Sequence, residues 1–119
     1  MADAPHVHHA IDYIELSVLD MHQARRFYDS AFGWRFNDYG PTYAGIQKDG
    51  GETGGIRVAS SVSAGGPLVI LYSRDLEATI AGVREAGGRI TKETFEFPGG
   101  RRFHFADSSG NELAVWSEK

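Results

Sequence analysis

The feature that most constrains this chain is that it nearly repeats itself. Shifted by 55 positions, its second half overlays its first: Leu16 falls on Leu71, Asp20 on Asp75, Ala31 on Ala86, Gly33 on Gly88 and Gly55 on Gly110. Such self-similarity means that one supersecondary unit is used twice. Each copy opens on a strand-like run, "YIELSV" (residues 13–18) and "PLVILYS" (67–73), followed by an aspartate placed to accept from the open amides of a helix start. Met21, Ala24, Phe27, Tyr28, Ala31 and Phe32, and then Leu76, Ile80 and Val83, recur at helical spacing as apolar stripes. Gly33, and Gly87 with Gly88, end the two helices because glycine tolerates left-handed backbone. "WRFNDY", "TYAGIQK" and "GIRVAS" complete the first copy as strands, and "GRITKE", "RRFHFAD" and "ELAVWS" the second. The clusters "KDGGETGG", "SAGGP", "EAGG" and "FPGG" read as turns between them.

The pattern predicts an α+β fold of two βαβββ modules, about 11–62 and 67–118, within one domain over 11–119. Four strands with a helix on one face cannot both bury that face and close around a ligand. The expectation is therefore tandem modules forming a curved mixed sheet around an open trough, helices outside. Residues 60–67 and 94–101 are read as loops shaping the trough. Residues 1–10, polar and holding His6, His8 and His9, are read as a flexible tail. A metal site in "HVHH" is not expected, because a mobile tail lacks the surrounding groups that orient ligands.

Composition removes several function classes. A net charge of −4 gives nucleic acid or an anionic membrane nothing to attract, so neither is expected as a partner. Without cysteine there is no disulfide framework, thiolate nucleophile or zinc-thiolate site. No apolar run is long enough to span a bilayer, and the N-terminus lacks the basic-then-apolar order of a signal peptide, so a cytoplasmic location is expected. "GGETGG" lacks the lysine and serine of a phosphate loop. No nucleophile elbow of the G-x-S-x-G type occurs. Arg25 and Arg26 read as a solvated helix face.

Strand parity decides what faces the trough. In "YIELSV", Ile14, Leu16 and Val18 want a core, which sends Tyr13, Glu15 and Ser17 the other way. In "RRFHFAD", Phe103 and Phe105 go under the helix, turning His104 inward. Leu113 and Val115 likewise leave Glu112, Ala114 and Trp116 inward, while Ile56 and Val58 leave Gly55, Arg57 and Ala59 inward. "PLVILYS" is apolar on both faces, and the repeat assigns Leu68, Ile70 and Tyr72 to the trough.

The ordered motifs (a strand, "D(x)6FYxxxFGW", the "AGG" helix end and the closing "DSSGNELAVW") resemble the vicinal oxygen chelate superfamily of glyoxalases, bleomycin resistance proteins and extradiol dioxygenases. They resemble most its small bacterial glyoxalase-like members. The resemblance implies a divalent metal held by four inward strand positions, usually His, Glu or Gln. These fall here on Tyr13, Leu68, Ala59 and Ala114. Leucine and alanine have no lone pairs to donate, and one neutral phenol is a poor ligand. No metal ligand and no cofactor is therefore expected.

The resemblance further implies a pocket position for His104 and a homodimer that completes the trough. Glu15 and His104 are the tentative catalytic pair, since a carboxylate near an imidazole sets its tautomer and raises its pKa. The plainer reading, which we prefer, is that Arg57 or a backbone amide fixes Glu15, which then only shapes the site. Tyr13, Tyr72 and Trp116 suit a flat, partly apolar ligand or pack a dimer interface. The expected function is binding of a small, partly aromatic or apolar molecule by Tyr13, Glu15, Arg57, Leu68, Ile70, Tyr72, His104, Ala114 and Trp116. The alternative is a glyoxalase-like lyase or isomerase, either metal-dependent or with Glu15 and His104 as acid and base.

Overall fold

A computed structural model describes residues 6–62, 66–108 and 110–119. The element order is β1 (Ile11–Val18), α1 (Met21–Phe32), β2 (Phe36–Asp38), β3 (Tyr43–Lys48), β4 (Gly51–Val58), β5 (Leu68–Tyr72), α2 (Leu76–Glu85), β6 (Arg89–Phe97), β7 (Gly100–Ala106) and β8 (Glu112–Ser117). This is βαβββ twice. The described chain forms two compact units, one within Tyr13–Pro67 and one comprising His6–Asp12 and Leu68–Lys119. Among the described residues no helix is long and apolar enough to cross a membrane.

In the first unit the strands run β2-β3-β4-β1, with β1 and β4 parallel and the other neighbours antiparallel. Asp20 caps α1 by accepting from the Gln23 amide at 2.8 Å. Gly33 ends the helix at φ 72°, donating its N–H to the Asp29 and Tyr28 carbonyls. Ala44, Ile46 and Ile56 are buried, and Leu16, Val18, Met21, Ala24, Trp34 and Phe36 pack against them. The helix thus covers the sheet face that alternation reserved for it, leaving the other face to Tyr13, Glu15 and Ser17.

In the second unit the order is β5-β8-β7-β6, with β5 and β8 parallel. Asp75 caps α2 through the Ala78 amide at 3.1 Å. Leu76, Phe103 and Val115 form the core, joined by Leu71, Ile80, Val83, Ile90 and Phe105. Residues 6–10 are tied down rather than forming part of a free tail: the Tyr72 amide donates to the Ala10 carbonyl and the His9 amide to the Tyr72 carbonyl. His6 also stacks on Tyr72, with centroids 5.0 Å apart. Backbone bonds and ring stacking together outweigh the chain entropy of this polar segment. Residues 1–5 of the expected tail lie outside the described residues.

Three further expectations change. Residues 94–101 are not a loop, because β6 runs to Phe97 and pairs it with Gly100, leaving the two-residue turn Pro98–Gly99. Gly99 supplies the required positive φ, 131°. Of "GGETGG", all but the first glycine belongs to strand β4 rather than to a turn. Finally, the repeat is not in register at the closing strands. Glu15 pairs with Gly55, while its repeat mate Ile70 pairs with Ala114, an offset of 59 (114 − 55) instead of 55. The long β6–β7 hairpin of the second unit adds the four residues. Of loop 60–67, residues 63–65 lie outside the described residues.

Candidate functional site

On the helix-free face of the first unit, two carboxylates are joined by two phenols. The Tyr43 hydroxyl donates to Glu15 Oε2 at 3.0 Å and lies 2.9 Å from the Tyr13 hydroxyl. Tyr13 donates in turn to Glu52 Oε1 at 3.3 Å. Glu52 also accepts from Asn37 Nδ2 at 2.8 Å and from the Tyr39 hydroxyl. At the other end, Arg57 Nε lies 3.7 Å from Glu15 Oε1 and its guanidinium reaches Ser17 Oγ at 3.5 Å. Glu15 is 6% exposed and Arg57 half exposed, so a solvated cation faces a buried anion. Burial, aided by the neighbouring carboxylates, raises both phenol pKa values well above the ordinary 10.0. The phenols therefore stay neutral donors at physiological pH.

The floor beneath this array is glycine. Gly45 and Gly55 are cross-strand partners on β3 and β4. A Cβ on Gly55 would sit 2.1 Å from the Tyr43 hydroxyl and 2.8 Å from that of Tyr13. One on Gly45 would sit 2.2 Å from the Glu52 carboxylate. Missing side chains thus make the space that the polar groups fill.

On the helix-free face of the second unit, His104 stands on β7 opposite Ala114 of β8 and Lys92 of β6. Its Nδ1 lies 3.3 Å from Glu112 Oε2, which also accepts from Thr91 Oγ1 at 3.1 Å. Nε2 is buried and has no hydrogen-bond partner among the described residues. Phe95 lies beside the ring at 5.9 Å, with Lys92 and Arg102 over its own face at 4.7 and 5.3 Å. Further along, Trp116 meets Phe97 at 6.2 Å and Tyr72 at 5.4 Å, and donates Nε1–H to Asp12 at 2.9 Å. A hydrogen bond to Glu118 pushes the Tyr72 pKa up to about 12.

Burial, assisted by Arg102 and opposed by Glu112, lowers the His104 pKa below 6.5. Lys92, across β6, acts in the same direction as Arg102. The unfolded chain then binds a proton at a higher pH than the folded one, so stability falls as pH drops through about 6.5 toward the folded value. Urea unfolding across that window should show this slope, and it should shrink in His104→Gln. An unchanged slope would mean that His104 titrates alike in both states.

The sequence-derived residues divide between the two faces. Tyr13, Glu15 and Arg57 lie on the first. Ile70, Tyr72, His104, Ala114 and Trp116 share the second with Leu68 at the start of β5. Glu15 touches Tyr43 and Arg57, and His104 touches Glu112. Parity turned Glu112 inward without naming its partner, and it gave no place to Asn37, Tyr39, Tyr43 and Glu52. Alternation in "TYAGIQK" does mark Tyr43, since Ala44 and Ile46 are core. Glu52 was hidden by the register shift after Ile46.

The metal that the resemblance implies does not fit these residues. Pairing puts Gly55, not Ala59, where Ala114 stands in the other unit. The four positions are thus Tyr13, Leu68, Gly55 and Ala114, and three have no donor atom. Tyr13 is a neutral phenol already bonded to Tyr43 and Glu52. Among the described residues no three His, Asp or Glu side chains converge as a metal site.

Comparison with known proteins agrees with the architecture. A glyoxalase from Novosphingobium aromaticivorans, solved with Mn(II), superposes with a TM-score of 0.67 at 22% identity, over 91% of this chain and 38% of that one. A methylmalonyl-CoA epimerase from Streptomyces coelicolor gives 0.72 at 17% identity, over 93% and 98%. An extradiol ring-cleaving dioxygenase from B. fuscum gives 0.72 at 17% identity, over 99% and 34%. No curated protein matches the chain. Residues 10–115 match the model of one family, and with the repeated βαβββ units this places the chain in the Glyoxalase/Bleomycin resistance protein/Dioxygenase superfamily.

Proposed function

We propose that this chain binds a small, partly aromatic or apolar molecule on the helix-free faces of its sheets, without the family's metal. The observation that carries the reading is the donor set: leucine, glycine and alanine stand at three of the four positions where the family's ligands would fall. On the face of the second unit Tyr72, Phe97 and Trp116 supply aromatic surface and His104 a polar group to orient what binds; on that of the first, Glu15 and Tyr43 supply polar groups of their own. Titration of a panel of aromatic compounds should change Trp116 emission saturably, equally with and without chelator, and Trp116→Phe should abolish the signal. A stoichiometric divalent metal in the purified protein, or silence across the panel, would overturn the reading.

A second reading, a metal-free lyase or isomerase with His104 as its base, is favoured by one observation. His104 Nε2 is a buried basic nitrogen with no hydrogen-bond partner among the described residues. Turnover that survives chelator and fails in His104→Ala would support it.

A further inference from the structure

We propose that Glu112 and Thr91 are positioning residues that hold His104 as its Nδ1–H tautomer, so that the buried Nε2 lone pair accepts a hydrogen bond from the ligand. The ligand class follows: a neutral protic group, an alcohol or N–H, carried on an apolar or aromatic body. This rests on the binding reading above and deepens it.

The tautomer is set by the partner of Nδ1. Glu112 is an acceptor only, so the 3.3 Å contact is a hydrogen bond when Nδ1 carries the proton. Thr91 donates to the same carboxylate oxygen at 3.1 Å and fixes it against the ring. A single imidazole proton then sits on Nδ1, and Nε2 keeps its lone pair. His104 is 8% exposed, and Nε2 has no exposed surface and no partner among the described residues. An acceptor buried in that state is destabilising until a donor meets it. That cost makes the site discriminate: a ligand with an O–H or N–H removes it and an apolar isostere does not.

The surroundings define the rest of the ligand. Phe95 flanks the ring, and Lys92 and Arg102 stack over Phe95. Ala114, directly across from His104, leaves that position without bulk. Lys92 is exposed and pairs with His104 across β6, so it is the bordering side chain with room to swing aside as a donor enters.

Two measurements test this. In 15N-histidine NMR of the full chain, with His104→Gln identifying the resonance, Nδ1 should be protonated and Nε2 bare. Glu112→Ala should move the ring toward the Nε2–H form that free imidazoles prefer, and Thr91→Val should do so in part. An Nε2–H tautomer in the unaltered protein would overturn the inference, whatever the chain binds. Benzyl alcohol should then bind about 10-fold more tightly than benzyl methyl ether, as one satisfied buried acceptor predicts. The preference should vanish in Glu112→Ala. Equal binding of the two compounds sinks the inference and leaves the binding reading standing. Binding of neither, with silence across the aromatic panel, removes both.

Discussion

Phe103→Ala is expected to lower the unfolding free energy of the second unit by about 3–5 kcal/mol, the usual range for emptying a fully buried aromatic site. Phe103 is 0% exposed and packs with Leu76 and Val115, its ring 6.2 Å from that of Phe105. The loss combines apolar surface returned to water with a cavity that a sheet and a helix cannot close. Phe105, on the same face but only partly buried, should cost less when truncated. Urea midpoints of the two variants check the order. A loss below about 1 kcal/mol for Phe103→Ala would mean that the site refills.

Gly54→Ala should be a strongly damaging single-methyl change. Its Cβ would lie 2.1 Å from the Ile14 carbonyl oxygen and 3.2 Å from that carbonyl carbon. Both atoms are backbone of the paired strand, so no rotamer change gives relief. The parallel β1–β4 pairing must spread, at about 1–3 kcal/mol or more. Gly45→Ala meets only the Glu52 carboxylate, the end of a flexible side chain, so it should cost less while uncoupling Glu52 from Tyr13. Gly82, inside α2 with nothing within 4 Å, is the control: alanine there should stabilise by roughly 0.5–1 kcal/mol. Denaturant melts of the three variants should rank them in that sequence. Equal losses at 54 and 45 would show that the strand spacing tolerates a methyl group.

Much of this was readable from pattern alone, for identifiable reasons. The capping aspartates Asp20 and Asp75 and the alternation in "RRFHFAD" are local, short-range signals, and the structure carries them through unchanged. Periodicity could not give the register of the closing strands, because hairpin length is set by pairing and not by composition. "KDGGETGG" misled because glycine marks turns and close approaches alike; Gly50 makes the turn, while Gly54 and Gly55 bring backbone and hydroxyls near. Glu15 was singled out by its position, but its partner Tyr43 comes from a strand 28 residues away. Such a pairing exists only once the sheet has formed.

The bare floor at Gly55 also bears on the history of this fold. Installing a coordinating side chain there by one codon change would drive it into the hydroxyls of Tyr13 and Tyr43. Both aromatics would have to shrink or withdraw first, and each step alone would strand Glu15 or Glu52 without a donor it now has. A bulkier residue at 55 thus needs coordinated change at 13 and 43, which binds three positions on three neighbouring strands into one unit of variation.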